Sequence, residues 1–470
     1  MIDLTGQSLT EIADAIASGE LTSRAATEAC LDRARALNPL LNCVLRLDAQ
    51  AALEAADRAD RERSRGARLG LLHGVPLAHK DMFYRAGRVS SCASTIHATR
   101  IATTTSTLLE RLDAAGGLEI GVLNMAEFAL GPTGHNAITG HCRNAWNPQY
   151  VSGGSSSGSG VAVGAGIVPA SLGSDTGGSV RLPAAINGVT GLKPTQGRLS
   201  RQGLMPLSWS IDTAGPIART ALDIARLMNV LAGHDQADPT SSRRAVPDYA
   251  ALCRRAIEGL RIGVPRNYFY DPASPEVRYL MEDSLAVLER CGARLVELDV
   301  PELSNLTELS RVIVYSEVTA LHGTWLRERR QEYSPQVAVR AATGIAIPAA
   351  AYLEALCLRA GMLRRFVEHV YRHCDVLHTP TIAIPVPTIE ATDVGSGEAM
   401  WRIIAQLVHC TAPVNYLGLP ALAVPAGFTR NGLPASLQLI GRPFAEGTLL
   451  RVAHAYQLET DWHRRIPERS

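Results

Sequence analysis

Apolar and polar positions in the first part of the chain, residues 1–65, repeat with the spacing of amphipathic helices. Ser8 stands three residues before Glu11, the capping-box spacing that begins a helix. From about residue 71 to 220, short apolar runs such as LLHGVPLA, LEIGVLN and GIVPASLG alternate with helix-like stretches and with turns rich in Gly, Ser and Pro. This alternation predicts the strands of a sheet that are joined by helices.

The second half of the chain returns to the same pattern after a long helical stretch. The runs LRIGVPR and ARLVELDV enclose a helical segment, and strands with Pro turns follow again near residues 374–440. Because the strands come from distant segments without a clean linker, we expect one α/β domain over residues 1–470. Its predicted parts are a large mixed, mainly parallel twisted sheet covered by helices on both faces, N-terminal helices at 1–65, a core at 71–220 and a helical insertion at 303–373 that shapes the substrate pocket.

Composition limits the partners and the compartment. The 470 residues are 46% hydrophobic and carry a net charge of +1, without a basic run, which argues against nucleic-acid binding. No uncharged apolar stretch approaches the roughly 20 residues of a membrane span, and the start of the chain lacks the pattern of a signal peptide. The nine cysteines are scattered and never spaced C-x-x-C, which favours reduced thiols in the cytoplasm over disulfides or a zinc site.

Lysine is rare in this chain, and Lys80 follows an apolar run that predicts a buried strand. Only two of the 46 Lys and Arg residues are lysines, at positions 80 and 193. Unlike arginine, a buried lysine can lose its proton. A base that works near pH 7 needs a pKa about three units below the ordinary value, and burial can provide that shift. Strand alternation is expected to direct Asp81 to the other face.

A Gly- and Ser-rich segment followed by a packed apolar run occupies residues 152–179. Its last part, SDTGGSVRLPAA, predicts a strand, a tight glycine turn and a helix. Ser179 is expected near the N-terminus of that helix, where unpaired N–H groups and the helix dipole favour negative charge. A serine nucleophile at this position would have an oxyanion hole beside it.

The motifs GVPLAHKDM, GGSSSGSG and LGSDTGGSVRLPAAINGVTGLKPT resemble those of the amidase signature family, and the resemblance covers nearly the whole chain. Lys80, Ser155 and Ser179 match its catalytic residues, with separations of 75 and 24 residues. The resemblance implies an amidohydrolase that cleaves a carboxylic amide to an acid and ammonia or an amine. Ser179 would form the acyl-enzyme, Ser155 would relay the proton, and Lys80 would be the general base. It also implies a cis peptide bond between Gly154 and Ser155.

The remaining site residues follow from the same resemblance and from their closeness to the nucleophile. We expect an oxyanion hole from Thr176, Gly177 and Gly178. We expect substrate contacts from Ala129, Leu130 and Gly131, and supporting roles for Ser156, Asp175 and Arg181. No metal or other cofactor is implied. The expected partners are a small-molecule amide and, as a family-typical guess, a second copy of the chain in a homodimer, with no nucleic acid and no membrane.

Three other interpretations remain open. Gly154-Ser-Ser156-Ser-Gly158 fits the nucleophile elbow of α/β-hydrolases, which would make Ser156 the nucleophile and require a histidine such as His378 or His409. Asp175-Thr-Gly matches the triplet of aspartic proteases, with Asp212-Thr-Ala as its echo.

The third interpretation lies within the resembled family and is the glutamine-hydrolysing component of a tRNA-dependent amidotransferase. The segments GLKPTQGRLSRQGL and SIDTAGP depart from the pattern of those glutamine-hydrolysing proteins. The sequence therefore favours a stand-alone amidase.

Overall fold

The helices cover most of the chain between the strands in a computed structural model that describes residues 3–468. In chain order the α-helices are α1 (Leu9–Ser18), α2 (Ser23–Leu41), α3 (Ala49–Ser64), α4 (Thr107–Ala114), α5 (Ser157–Gly164), α6 (Arg181–Asn187), α7 (Ala221–Leu231), α8 (Tyr249–Cys253), α9 (Pro275–Arg290), α10 (Ser304–Glu328), α11 (Pro335–Ala342), α12 (Ala349–Val370), α13 (Ile389–Thr392), α14 (Glu398–Val408), α15 (Ala412–Leu417) and α16 (Glu446–Leu458). The capping box predicted at the start of α1 is present, with Ser8 accepting from the N–H of Glu11.

The strands within the described residues form a single sheet. They are β1 (Val44–Leu47), β2 (Pro76–Lys80), β3 (Leu118–Leu123), β4 (Ala170–Asp175), β5 (Thr190–Lys193), β6 (Thr213–Ala218), β7 (Arg261–Pro265), β8 (Arg294–Leu298), β9 (Val376–Pro380), β10 (Ala421–Phe428) and β11 (Pro434–Gly441). Their order across the 11-stranded sheet is β1-β3-β2-β4-β6-β5-β10-β11-β9-β7-β8.

The sheet is mixed, which confirms the predicted α/β class, but its parallel pairings are the minority. β2 runs parallel to β3 and β4, and β7 runs parallel to β8 and β9. The six other pairings among the described strands are antiparallel. The expected mainly parallel sheet is corrected in this respect. The β10–β11 connection shows the reason, because a turn of only a few residues joins antiparallel neighbours, whereas parallel neighbours need a long crossover.

Alternating residues of the strands face two separate cores. Leu77 and Leu422 belong to the larger core, and their neighbours Ala78 and Ala423 belong to a second one. Residues of α7, α9, α10 and α16 pack in the first core, and residues of α2 and α5 pack in the second. Helices therefore cover both faces of the sheet, as predicted.

The predicted subdivision of the chain has matching helices, although the division into parts stays a prediction. Helices α1 to α3 lie within residues 1–65, and α10 to α12 lie within residues 303–373. None of the described helices is by itself long and apolar enough to cross a membrane. One pair bent by 90°, residues 335–346 with 349–370, meets that criterion by length and composition only.

Two glycines face each other in the middle of the sheet and let the serine-rich start of α5 approach it. Gly173 of β4 pairs with Gly215 of β6. A Cβ atom on Gly173 would lie 2.7 Å from Ser156 Oγ, and one on Gly215 would lie 2.2 Å from the carbonyl oxygen of Leu192. Side chains at these positions would separate the strands or displace the serine loop.

We expect Gly215→Ala to lower the free energy of unfolding by about 1–3 kcal/mol, because the added methyl group overlaps the Leu192 carbonyl. Urea denaturation followed by circular dichroism measures this loss. Gly361→Ala in α12 is the control, since nothing lies within 4 Å of its added Cβ. That change is expected to stabilise the protein slightly, because alanine is the better helix former. Equal stability of Gly215→Ala and the parent would contradict the argument.

Candidate active site

Three chain segments meet at one edge of the sheet. Lys80 is the last residue of β2, and the turn that contains Ser179 follows β4. β2 and β4 are parallel neighbours, so their carboxyl ends share this edge. Ser155 lies just before α5, which packs on both strands. The sheet thus brings together the three residues that the sequence placed far apart.

Lys80 is fully buried and contacts two serine hydroxyls. Its Nζ lies 2.7 Å from Ser155 Oγ and 2.9 Å from Ser174 Oγ. Burial lowers the pKa of Lys80 to about 7, although the carboxylates of Asp212 and Asp175 act in the opposite direction. A large fraction of the amine is therefore uncharged near neutral pH and able to accept a proton.

Asp81 does not counteract this effect at close range. Its carboxylate accepts hydrogen bonds from the hydroxyl of Ser91 and from the N–H of Ala93. This placement agrees with the strand alternation that directs neighbouring side chains to opposite faces.

Ser155 and Ser179 differ in accessibility. Ser155 is completely buried, whereas Ser179 is partly exposed and lines a cavity of about 110 Å³. The N–H of Ser156 donates to the carbonyl oxygen of Ser179 at 3.3 Å, which ties the two serine segments together. The Gly154–Ser155 peptide bond is cis, as the resemblance implies. Of the two hydroxyls, that of Ser179 can meet a ligand.

The turn between β4 and α6 is held by a buried ion pair. Arg181 contacts the carboxylate of Asp175 at 2.9 Å, and both side chains are completely buried. Asp175 also accepts from the N–H groups of Gly178 and Val180, and Asn415 donates to it at 2.8 Å. Burial alone would raise the pKa of Asp175, but the Arg181 guanidinium holds it well below its ordinary value. Asp175 and Arg181 thus fix the turn that presents Ser179.

The predicted oxyanion-hole residues do not all face the cavity. Thr176 and Gly177 line it beside Ser179. The N–H of Gly178 instead donates to Asp175 Oδ1 at 2.9 Å, contrary to the expectation for this residue. Gly178 adopts a φ of +131°, and a Cβ there would lie 2.5 Å from Thr411 Oγ1. The turn therefore requires glycine at this position for its conformation.

Ala129, Leu130 and Gly131 form one wall of the cavity, where the sequence placed the substrate contacts. Phe128 packs instead against His322 and other aromatic rings of the core. The opposite wall comes from α10, α11 and α14 and is largely apolar. Its residues include Thr307, Ser310, Val314, Tyr315, Arg340, Trp401, Ile404 and Val408.

The geometry does not assemble the two alternative sites. Ser156 is buried, and its hydroxyl donates to the Ser174 carbonyl at 3.2 Å. The rings of His378 and His409 hydrogen-bond to groups on other segments, namely Tyr270, Ser284 and the Tyr268 carbonyl oxygen, so neither histidine serves Ser156.

The aspartic-protease interpretation fails on charge. Asp175 is neutralised by Arg181, whereas Asp212 accepts from Thr176 Oγ1 at 2.6 Å. An aspartate pair that shares one proton needs two carboxyl groups without such a cationic partner.

Other reactive groups are distant from this chemistry. Burial raises the pKa of the Cys142 thiol to about 12, so it is no thiolate nucleophile. All nine cysteines are free. Across residues 3–468, no cluster of three or more His, Cys, Asp or Glu side chains is placed to hold a metal ion.

Sequence reasoning missed two residues of this region. Ser174 contacts Lys80, and the only signal was a hydroxyl in an otherwise apolar and glycine strand. Arg340 lines the cavity from α11, and nothing in the local pattern of that helix distinguished it from the many other arginines.

The chain belongs to the amidase family, whose model matches residues 25–450. The glutamine-hydrolysing type of relative expected as an alternative is found in Chloroflexus aggregans, as the first-lettered (A-type) component of its glutamyl-tRNA(Gln) amidotransferase. That relative is 41% identical over 97% of this chain and 96% of its own length. The native peptide amidase from Stenotrophomonas maltophilia shares its structure with a TM-score of 0.86 and 30% identity, over 99% of both chains.

A further solved structure has a TM-score of 0.89 at 35% identity, over 96% of this chain and 98% of the other. It is described as a vestigial protein complex that reveals the origins of an s-triazine catabolic enzyme. The predicted family, the fold and an enzyme that acts on amide C–N bonds are confirmed by these comparisons.

The prediction that excluded nucleic acid and limited the partners to a small-molecule amide is wrong in the light of the relatives. Their name specifies a tRNA-linked amidotransferase and one component of a larger assembly. The physical reason is that a net charge of +1 describes this chain alone. It carries no information about a nucleic acid that another component of such an assembly would hold.

We expect Arg181→Met to destabilise the protein by about 3–5 kcal/mol, because it leaves the Asp175 carboxylate buried without its cation. Urea denaturation at pH 7 measures the change. Arg35→Met is the matched control, since Arg35 pairs with Asp32 at the surface, where their side chains are 56% and 45% exposed. The control is expected to stay within about 0.5 kcal/mol of the parent. A loss of similar size in both variants would contradict the role of the buried pair.

Proposed function

We propose that this chain hydrolyses carboxylic amides with Lys80, Ser155 and Ser179. The observation that carries the proposal is the 2.7 Å contact between the buried Lys80 amine and Ser155 Oγ. Burial keeps that amine largely neutral near pH 7, and Ser179 opens into the adjoining cavity. A neutral amine, a relay hydroxyl and an accessible hydroxyl are the parts that acyl transfer requires.

The proton path follows the contacts. Ser179 Oγ attacks the amide carbonyl and gives its proton to Ser155, whose own proton passes to Lys80. The tetrahedral intermediate collapses when Ser155 returns a proton to the leaving nitrogen, so ammonia or an amine departs and Ser179 keeps the acyl group. Water then repeats the sequence and releases the acid. General-base catalysis of this kind contributes about 10² to 10⁴ in rate.

The negative oxygen of the intermediate needs donors beside Ser179. We assign this role to the N–H groups of Thr176 and Gly177, because both residues line the cavity. Gly178, whose N–H is directed to Asp175, serves the turn. A Cβ on Gly177 would meet nothing within 4 Å, so this residue leaves open space where a substrate carbonyl would sit. The acyl group would lie along Ala129, Leu130 and Gly131.

Among the functions open to this family, the relatives favour the glutamine-hydrolysing component of an amidotransferase over the stand-alone amidase. The relatives share 38–41% identity over at least 97% of this chain. In this role the chain would release ammonia from glutamine for transfer to a tRNA-bound substrate. The free cysteines suit the cytoplasm, where this reaction would take place. The homodimer stays a prediction.

A second candidate is an amidase that acts on a different amide within another assembly. The structural neighbour linked to an s-triazine catabolic enzyme supports it with a TM-score of 0.89. A largely apolar wall that includes Trp401 and Val408 also suits acyl groups other than an amino acid.

Lys80→Arg is expected to lower kcat/KM for any amide substrate by at least about 10³, because a guanidinium stays protonated and cannot accept from Ser155. In the parent, kcat/KM should rise with pH through an apparent pKa of about 7, because only neutral Lys80 is active and its fraction grows as the pH increases. Ammonia release measured between pH 5 and 9 gives both results.

Fluorophosphonate labelling, located by mass spectrometry of peptides, distinguishes the nucleophiles. We expect Ser179→Ala to abolish the label and Ser156→Ala to retain it on Ser179. Near-parental activity of Lys80→Arg, or a label on Ser156, would reject the proposed mechanism.

The amidotransferase role predicts ammonia release from glutamine and formation of Gln-tRNA(Gln) when the chain is mixed with the remaining components of a glutamyl-tRNA(Gln) amidotransferase, Glu-tRNA(Gln) and ATP. Ser179→Ala in the same mixture is the control for the source of ammonia, and added ammonium chloride should restore product formation with it. Hydrolysis of other amides without any product on tRNA would favour the second candidate.

A further inference from the structure

Two cavities adjoin at Arg340. The first is the cavity of about 110 Å³ that contains Ser179, and the second has a volume of about 180 Å³. Both are lined by Leu130, Gly131, Pro132, Arg340 and Ile404. The second cavity, called the distal cavity below, has polar groups around it, including His135, His141, Ser334 and Asp393. Arg340 is the charged residue that the two linings share.

The guanidinium of Arg340 is buried without a protein counter-charge. Only 6% of the residue is exposed, and its Nε is buried with no hydrogen-bond partner within residues 3–468. The ion pairs found in that part of the chain do not include Arg340. An uncompensated buried cation is costly, and a ligand anion would remove the cost.

Arg311 provides the contrast on the same cavity. It pairs with Glu308 at 2.9 Å, and the two side chains are 42% and 66% exposed. An exposed, paired arginine has its charge screened by water and by its partner. Of the two arginines that line this cavity, Arg340 is the one whose charge is left for a ligand.

Packing fixes Arg340 in this position. It lies on α11, whose first turn is tied to the core by the buried Glu127. The Glu127 carboxylate accepts from the N–H of Ser334 at 3.0 Å and from its hydroxyl at 2.6 Å. Val337 and Ala341 of the same helix are buried in the core. The helix therefore cannot turn Arg340 toward solvent without losing these contacts.

We propose that Arg340 binds a carboxylate of the amide substrate, at the junction between the Ser179 cavity and the distal cavity. The substrate class is then a primary amide that carries a carboxylate several atoms from the reacting carbonyl. The apolar walls near Leu130 and Val314 would contact the spacer, and the guanidinium would hold the acid through charge-assisted hydrogen bonds. This inference rests on the proposed amide hydrolysis and names the substrate class for it.

The test compares two amides of equal length that differ in charge, glutaramate and pentanamide. The parent is expected to prefer glutaramate in kcat/KM. Arg340→Met should lower kcat/KM for glutaramate by about 30- to 1,000-fold, mainly through KM, and leave pentanamide within about threefold. Arg340→Lys should recover part of the loss, because a lysine keeps the charge without the planar fork. Arg311→Met is the control and should leave the preference unchanged.

Glutarate binding, measured by calorimetry, examines the anion site without catalysis. The parent and Arg311→Met should bind glutarate, and Arg340→Met should not, with folding of each variant checked by thermal melting. Equal loss of activity on both amides, no preference for glutaramate in the parent, or undiminished glutarate binding by Arg340→Met would overturn the proposal. A parent that binds glutarate through Arg340 but hydrolyses no amide would reject the proposed function and leave the anion site standing.

Discussion

The site depends on one buried amine that two hydroxyls share. Lys80 Nζ lies within hydrogen-bond distance of Ser155 and Ser174, in a place without water to stabilise a charge. Two carboxyl groups nearby would favour the charged form, but neither acts freely. Asp175 is paired with Arg181, and burial raises the pKa of Asp212. Burial therefore outweighs attraction, and the amine is left largely neutral at the pH where it would work.

Burial alone does not make a lysine a base for catalysis, and Lys193 shows this. The second lysine of the chain is also completely buried, and burial lowers its pKa to about 7 as well. Its Nζ, however, donates to the carbonyl oxygen of Pro194 at 3.0 Å. A carbonyl has no proton to give, whereas a serine hydroxyl has one. The difference between the two lysines is the identity of the partner atom.

Local pattern and motif predicted the helices, the family and the segments that carry Lys80, Ser155 and Ser179. Strand direction was predicted less well, because apolar runs do not reveal which runs pair or how short turns such as that between β10 and β11 orient them. The direction of the Gly178 N–H was also beyond the sequence, since it depends on where the Asp175 carboxylate turns. Arg340 was missed because its significance comes from the absence of a partner, which only the folded arrangement reveals.

Chemistry and selectivity occupy different parts of this molecule. The serine and lysine groups sit on the sheet edge and on short turns locked by Asp175 and Arg181, whereas α10, α11 and α14 form most of the opposite wall of the cavity. Glu127 joins the two parts, because it accepts hydrogen bonds from Ser94 on one side and Ser334 on the other. Side chains of the helical wall can therefore change without moving Lys80, Ser155 or Ser179. This separation explains how a peptide amidase and an amidotransferase component can be built on one fold with similar cores.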